Sequence, residues 1–129
     1  MAKAEDQEIY QEFIIGLYKN PLNHGRLANA DYRAQVDNPT CGDRIELSIR
    51  MKGGAVAEAK FTGQGCAISQ ASASLFTGYL RGRKLSALGK ITAKDVLKLI
   101  KIDLSRNPGR MKCALLPLEA MKKALGGSK

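Results

Sequence analysis

"RIELSIRMKGGAVAEAKFT", residues 44–62, decides the fold class. Ile45, Leu47, Ile49 and Met51 alternate with Arg44, Glu46, Ser48, Arg50 and Lys52, the period of two that belongs to a strand with one wet face. Gly53 and Gly54 supply the positive-φ positions of a tight hairpin turn. Residues 55–62 return as the partner strand, with Ala55, Ala57, Ala59 and Phe61 expected on one side. An antiparallel hairpin is therefore the central expectation.

Outward from the hairpin the spacing becomes helical. Residues 7–19 place Ile9, Tyr10, Phe13, Ile14, Leu17 and Tyr18 along one face, which predicts an amphipathic helix packed by that stripe and ended by Asn20-Pro21. A turn-rich stretch follows, and 32–36, "YRAQV", reads as a short strand. Beyond the hairpin, "CAISQASASLFTGYLRG" spaces Ile68, Ala71, Ser72, Leu75, Phe76, Tyr79 and Leu80 on one helical face, so Cys66 stands at a helix start. Thr92 and Asp95 have capping-box spacing, and Ile91 and Val96 sit where a hydrophobic staple would put them, opening a helix at "AKDVLKLIK". A proline is tolerated in the first helical turn, so Pro117 predicts a last helix that begins just after Cys113 and ends at Gly126-Gly127. Helix, hairpin, then helices is an α+β order, with helices on one face of a small antiparallel sheet. No repeat, linker or low-complexity block interrupts the 129 residues, which fit one domain, 1–129, able to bury a core without staples.

Apolar residues make up 44% and charged ones 26%, with no run long enough for a membrane helix. The N-terminus lacks the basic-then-apolar layout of a secretory signal, so a cytoplasmic address is expected. In a reducing compartment the three cysteines are expected to be thiols, and their odd number rules out complete pairing within the chain. A net charge of +9 fits an acidic partner, a nucleic acid or simple solubility, but few aromatics are available to stack on bases.

The cysteines fall at boundaries of elements: Cys41 in the turn entering the first hairpin strand, Cys66 directly after the second, and Cys113 at the expected start of the last helix. Paired strands have neighbouring ends, which brings Cys41 and Cys66 together. Asp43 in the same turn can aim a carboxylate at that point, while Cys113 must arrive by packing. Three thiolates and one carboxylate can hold zinc, or iron in a cluster that lacks its usual fourth thiolate. A carboxylate is a weaker ligand for iron than thiolate, so such a cluster is easily released. Helix N-termini at Cys66 and Cys113, and Arg110 and Lys112 beside Cys113, favour thiolate. Glycines 42, 63 and 65 allow close approach of backbone to an ion or cluster. The rival reading is that each cysteine is a small buried hydrophobe. A cysteine hydrolase would need a base, and the only histidine, His24, lies in a polar turn. The loop "TGQGCAIS" lacks the lysine of a phosphate-binding loop.

"NPTCGDRI", "GQGCAISQASAS" and "RMKCALLPLEAMKKAL" closely resemble the iron–sulfur cluster assembly scaffold family, the IscU, SufU and NifU N-terminal domain group, and the likeness runs from about Ile9 to Leu125. The resemblance implies a three-stranded antiparallel sheet and a site of Cys41, Asp43, Cys66 and Cys113, with the cysteines as ligands and persulfide carriers and Asp43 as the exchangeable ligand. It also implies sulfur supplied by a pyridoxal-phosphate cysteine desulfurase, a transient 2Fe-2S cluster and apo iron–sulfur proteins as acceptors. Nucleic acid and membrane are not implied partners, and a monomer or weak dimer is expected.

The motifs look SufU-like, with Lys112 where IscU-type members carry histidine, whereas the length is IscU-like because the SufU-type insertion is missing. SufU-type members are associated with bound Zn2+ and a sulfurtransferase role that stimulates the desulfurase, which is the alternative function. "SRNPGRMK" replaces the chaperone-recognition motif of the IscU group. Cys113, flanked by Arg110 and Lys112, is expected to be the most exposed thiol and the sulfur acceptor. Asp43 is expected in a surface turn.

Overall fold

A computed structural model describes residues 12–39, 42–101, 104 and 106–126. Helix α1 (12–19) leads into strands β1 (Tyr32–Asn38), β2 (Asp43–Lys52) and β3 (Ala55–Gln64), then helices α2 (Ala67–Leu80), α3 (Leu85–Leu88), α4 (Ala93–Ile100) and α5 (Pro108–Gly126). The strands form one antiparallel sheet in the order β1-β2-β3, and α2 and α5 pack on it. This is the expected α+β architecture.

The hairpin forms as its sequence dictates, with Gly53 and Gly54 at φ of 63° and 80°. One detail differs. The register slips between Arg50 and Met51, so that Arg50 pairs with Glu58 but Met51 with Val56. The bulge resets the alternation of β3. Val56, Ala59 and Phe61 point into the core, while Ala55 and Ala57 are only half-buried. Both outer positions of β3 are covered by other backbone: Gly25 N–H donates to the carbonyl of Phe61, and Val56 N–H to that of Arg83.

The sheet's inner face supplies Ile45, Leu47, Ile49 and Phe61, which meet Phe76 and Leu80 of α2 and Leu116 and Met121 of α5. Burial of a side chain the size of Phe61 or Phe76 stabilises by about 1.5–3 kcal/mol. A second cluster joins Ile14 and Leu17 of α1 to Ile68, Ala71, Ile100, Cys113 and Ala114. The stripe expected on α1 is narrower in the structure. Ile14 and Leu17 are buried, Phe13 and Tyr18 are exposed, and Ile9 and Tyr10 lie outside the described residues.

Helix α4 is capped as read: Thr92 Oγ1 accepts from Asp95 N–H, Asp95 Oδ2 accepts from Thr92 N–H at 2.9 Å, and Ile91 and Val96 are buried. The bonds from the Thr92 backbone and hydroxyl hold the Asp95 carboxyl below its ordinary pKa. Helix α5 corrects the sequence reading. It starts at Pro108, where a missing N–H costs nothing, and the Asn107 side chain caps it by accepting from Arg110 N–H at 3.1 Å. Pro117 is therefore inside the helix, and Cys113 lies in its second turn, away from the helix N-terminus.

Candidate metal site

Three elements converge at the end of the hairpin opposite its turn. Asp43 opens β2, facing Asn38 of β1. The turn between them contains Gly42, whose φ of 74° suits glycine and whose N–H bonds the Asn38 carbonyl at 2.8 Å. On the other side of β2 the chain leaves β3 through Gln64 and Gly65 and enters α2 with Cys66 as N-cap. Gly65 has φ of 132°, and a Cβ there would stand 1.9 Å from Asp43 Oδ1. Glycine at this position is what lets the strand end lie against the carboxylate.

Asp43 is 1% exposed, not in a surface turn as the sequence suggested. Its burial is met by hydrogen bonding: Oδ1 accepts from Cys66 N–H at 2.7 Å, while Oδ2 lies 3.7 Å from Cys66 Sγ. One carboxylate oxygen thus anchors the entry to α2 and the other faces the thiol. Ser69, fully buried one turn along, donates from Oγ to the Cys66 carbonyl at 3.0 Å and has its oxygen 3.9 Å from Cys66 Sγ. Gln70 Nε2 donates to that same Ser69 oxygen at 3.3 Å.

Cys113 comes from α5, which packs across α2. The Ser72 hydroxyl donates to the Ala114 carbonyl at 2.5 Å and ties the two helices beside the site. The result is that one carboxylate oxygen of Asp43 and the sulfurs of Cys66 and Cys113 all lie within 4.8 Å of one another. Two soft sulfurs and one hard oxygen at this separation can close on a single ion. The set suits zinc, or iron within a sulfide-bridged cluster, better than magnesium or calcium. Cys66 and Cys113 are not disulfide-bonded.

The sequence-derived set is thus brought together at Asp43, Cys66 and Cys113, while Cys41 lies outside the described residues. The expectation that Cys113 is the most exposed thiol is overturned: it is 2% exposed, whereas Cys66 is half-buried. Cys113 sits under α1 and α4 in the second apolar cluster, because its helix begins a turn and a half earlier than expected. Arg110 and Lys112 are exposed, and Lys112 lines a cleft with Asp37, Asn38, Leu116 and Glu119. A second cleft is lined by Asn38, Gly42, Asp43, Arg44 and Gln64. His24 is exposed and edge-on to Phe61, and it is not among the converging ligand atoms. Sequence reasoning missed the contributions of Ser69 and Ser72. Their spacing of three from Cys66 and from each other was the available signal, since it puts all three on one side of α2.

The chain matches a family model described as the NifU-like N terminal domain over residues 9–127. It is 37% identical to the zinc-dependent sulfurtransferase SufU of Bacillus subtilis, an alignment covering 91% of this chain and 89% of the relative. It is 32% identical to the iron–sulfur cluster assembly scaffold protein IscU of Escherichia coli, covering 93% and 94%. Among solved structures it resembles FiSufU, proposed as an iron–sulfur cluster assembly scaffold for the SUF system of Fervidobacterium islandicum AW-1. The TM-score is 0.73 at 28% identity, covering 88% of this chain and 94% of that one.

Proposed function

The chain belongs to the NifU-like N-terminal domain family, and we propose that it is a scaffold on which an iron–sulfur cluster is assembled and from which it is passed to apo-proteins. Relatives named as IscU scaffolds align over nearly all of it. The observation that carries the reading is the convergence of ligand atoms of Asp43, Cys66 and Cys113 within 4.8 Å, with Cys66 half-buried and a cleft beside Asp43. With Cys41 as the fourth ligand, the set would hold a 2Fe-2S cluster.

Sulfur would arrive as persulfide from a pyridoxal-phosphate cysteine desulfurase. Each sulfane sulfur then takes two electrons from a separate donor to become sulfide. Of the two described thiols, Cys66 is the accessible one, so incoming sulfur meets it before Cys113. Asp43 keeps one oxygen on Cys66 N–H and offers the other, a hard and exchangeable ligand that eases release of the cluster. A cytoplasmic address and a monomer or weak dimer are part of the same proposal; no helix among the described residues is long and apolar enough to cross a membrane.

A second reading is favoured by one specific observation, the 37% identity to a zinc-dependent sulfurtransferase. In that role the same residues would hold Zn2+, and one of the thiols would take the outer sulfur of the desulfurase persulfide, the desulfurase cysteine leaving as thiolate. Metal and sulfide analysis separates the two. Protein purified without oxygen and supplied with iron, cysteine and a desulfurase should turn brown and hold iron and sulfide in equal amounts if it is a scaffold. Colourless protein that retains about one zinc per chain, resists iron and carries persulfide would replace the scaffold reading with the sulfurtransferase one.

A further inference from the structure

Two features of the helix pair meet next to Cys113, and neither belongs to the ligand set. Pro117 stands four residues after Cys113 inside α5. Proline has no amide hydrogen and its ring crowds the carbonyl four residues back, so the helical bond from residue 117 to the carbonyl of Cys113 is not made. The next carbonyl, that of Ala114, accepts the Ser72 hydroxyl from α2 at 2.5 Å. Ser72 is 1% exposed and Ala114 is fully buried, so this bond crosses the helix interface in a dry setting where such a bond is strong.

The two effects act on consecutive carbonyls. α5 stays helical from Pro108 to Gly126, but Pro117 withholds one bond from the turn carrying Cys113, and Ser72 fastens that turn to α2, about two turns from Cys66. We propose that Ser72 and Pro117 are positioning residues that set Cys113 Sγ against Cys66 Sγ and Asp43. They do not touch the metal or cluster. In a regular, unanchored α5 the Cys113 turn would follow the helix and the sulfur would leave the converging point.

This inference rests on the reading of Cys113 as a ligand, so the test includes Cys113→Ser. The probe is Co2+ titrated into metal-free protein without oxygen, followed by thiolate-to-cobalt charge-transfer absorption. Melting of each metal-free variant is followed in parallel by circular dichroism. Ser72→Ala is expected to weaken cobalt binding about tenfold, the lower end of what removing a group that orients a metal ligand costs. Ser72→Thr, which keeps the hydroxyl, is expected to recover most of that affinity. Thr77→Ala removes a buried α2 hydroxyl that bonds carbonyls of its own helix and accepts from Asn23 Nδ2 at 3.2 Å, and it should lower the melting temperature with cobalt affinity unchanged.

Pro117→Ala is the sharper variant, because it restores the helical bond. It should raise the melting temperature of the metal-free protein while weakening cobalt binding and reducing the charge-transfer band. A purely structural role would move stability and affinity in the same direction. Unchanged cobalt affinity in both Ser72→Ala and Pro117→Ala, with affinity lost in Cys113→Ser, would overturn the positioning role alone. Unchanged affinity and spectrum in Cys113→Ser would overturn the ligand reading and this inference with it.

Discussion

Replacing Gly65 by alanine tests the geometry on which the site depends. The new Cβ would stand 1.9 Å from Asp43 Oδ1, 2.7 Å from its Cγ and 2.8 Å from its Cα, distances at which the carboxylate must move. Two costs follow. An L-residue held at a φ of 132° is strained, and left-handed backbone of this kind costs about 1–2 kcal/mol. Displacing Asp43 also breaks the bond from Cys66 N–H, and a buried bond to a charged group contributes about 1.5–3 kcal/mol. Together they amount to roughly 3–5 kcal/mol, a large part of a typical domain's total stability. With a urea slope of about 2 kcal/mol/M, the unfolding midpoint should fall by roughly 2 M.

Gly82 provides the control. Its φ is 83°, but nothing lies within 4 Å of an added Cβ, so Gly82→Ala pays the backbone strain alone, about 1–2 kcal/mol. The assay is urea unfolding of both variants in the metal-free state. A Gly65→Ala loss no greater than that of Gly82→Ala would refute the claim that Asp43 is pinned between the strand end and α2.

Native alkylation of metal-free protein with iodoacetamide, mapped by mass spectrometry, should modify Cys66 well before Cys113; equal rates would contradict the burial of Cys113. Asp43→Ala should both lower stability, by about 1–3 kcal/mol for the buried amide it leaves unpaired, and change the rate at which metal or cluster is released. Equal release rates in wild type and variant would count against Asp43 as a ligand. Asp95→Asn should destabilise at neutral pH, because the bonds from Thr92 depress the Asp95 pKa. The stabilisation by Asp95 is present above the ordinary aspartate range and is lost as pH falls through the lowered folded value, so wild type and variant should converge in acid. A pH-independent difference in their urea midpoints would contradict this.

The hairpin was readable because large apolar and polar residues alternate from Arg44 to Lys52, and a pleated strand is what satisfies that pattern. The bulge in β3 was not, because residues 55, 57 and 59 are all alanine and carry too little volume to mark which side is buried. The capping box at Thr92 and Asp95 is a local device and was read correctly. Helix α5 was misplaced because proline inside a helix is costly in isolation, and packing on the sheet and α2 outweighs that cost. The convergence of Asp43, Cys66 and Cys113 was legible in residues able to hold a metal that stand beside turns and expected helix starts. The burial of Asp43 and Cys113 was not, because it depends on packing between elements distant in sequence, and Asp43 looks like a turn residue locally. The expected exposure of Cys113 failed for that reason.

Transfer of a cluster tests the central claim most directly. Protein reconstituted without oxygen would be mixed with an apo-ferredoxin, and formation of the holo acceptor would be followed by circular dichroism beside a control of free iron and sulfide. The scaffold account predicts transfer that is faster than the control and that disappears in Cys66→Ser. Acceptor loading no faster than from free iron and sulfide would contradict it.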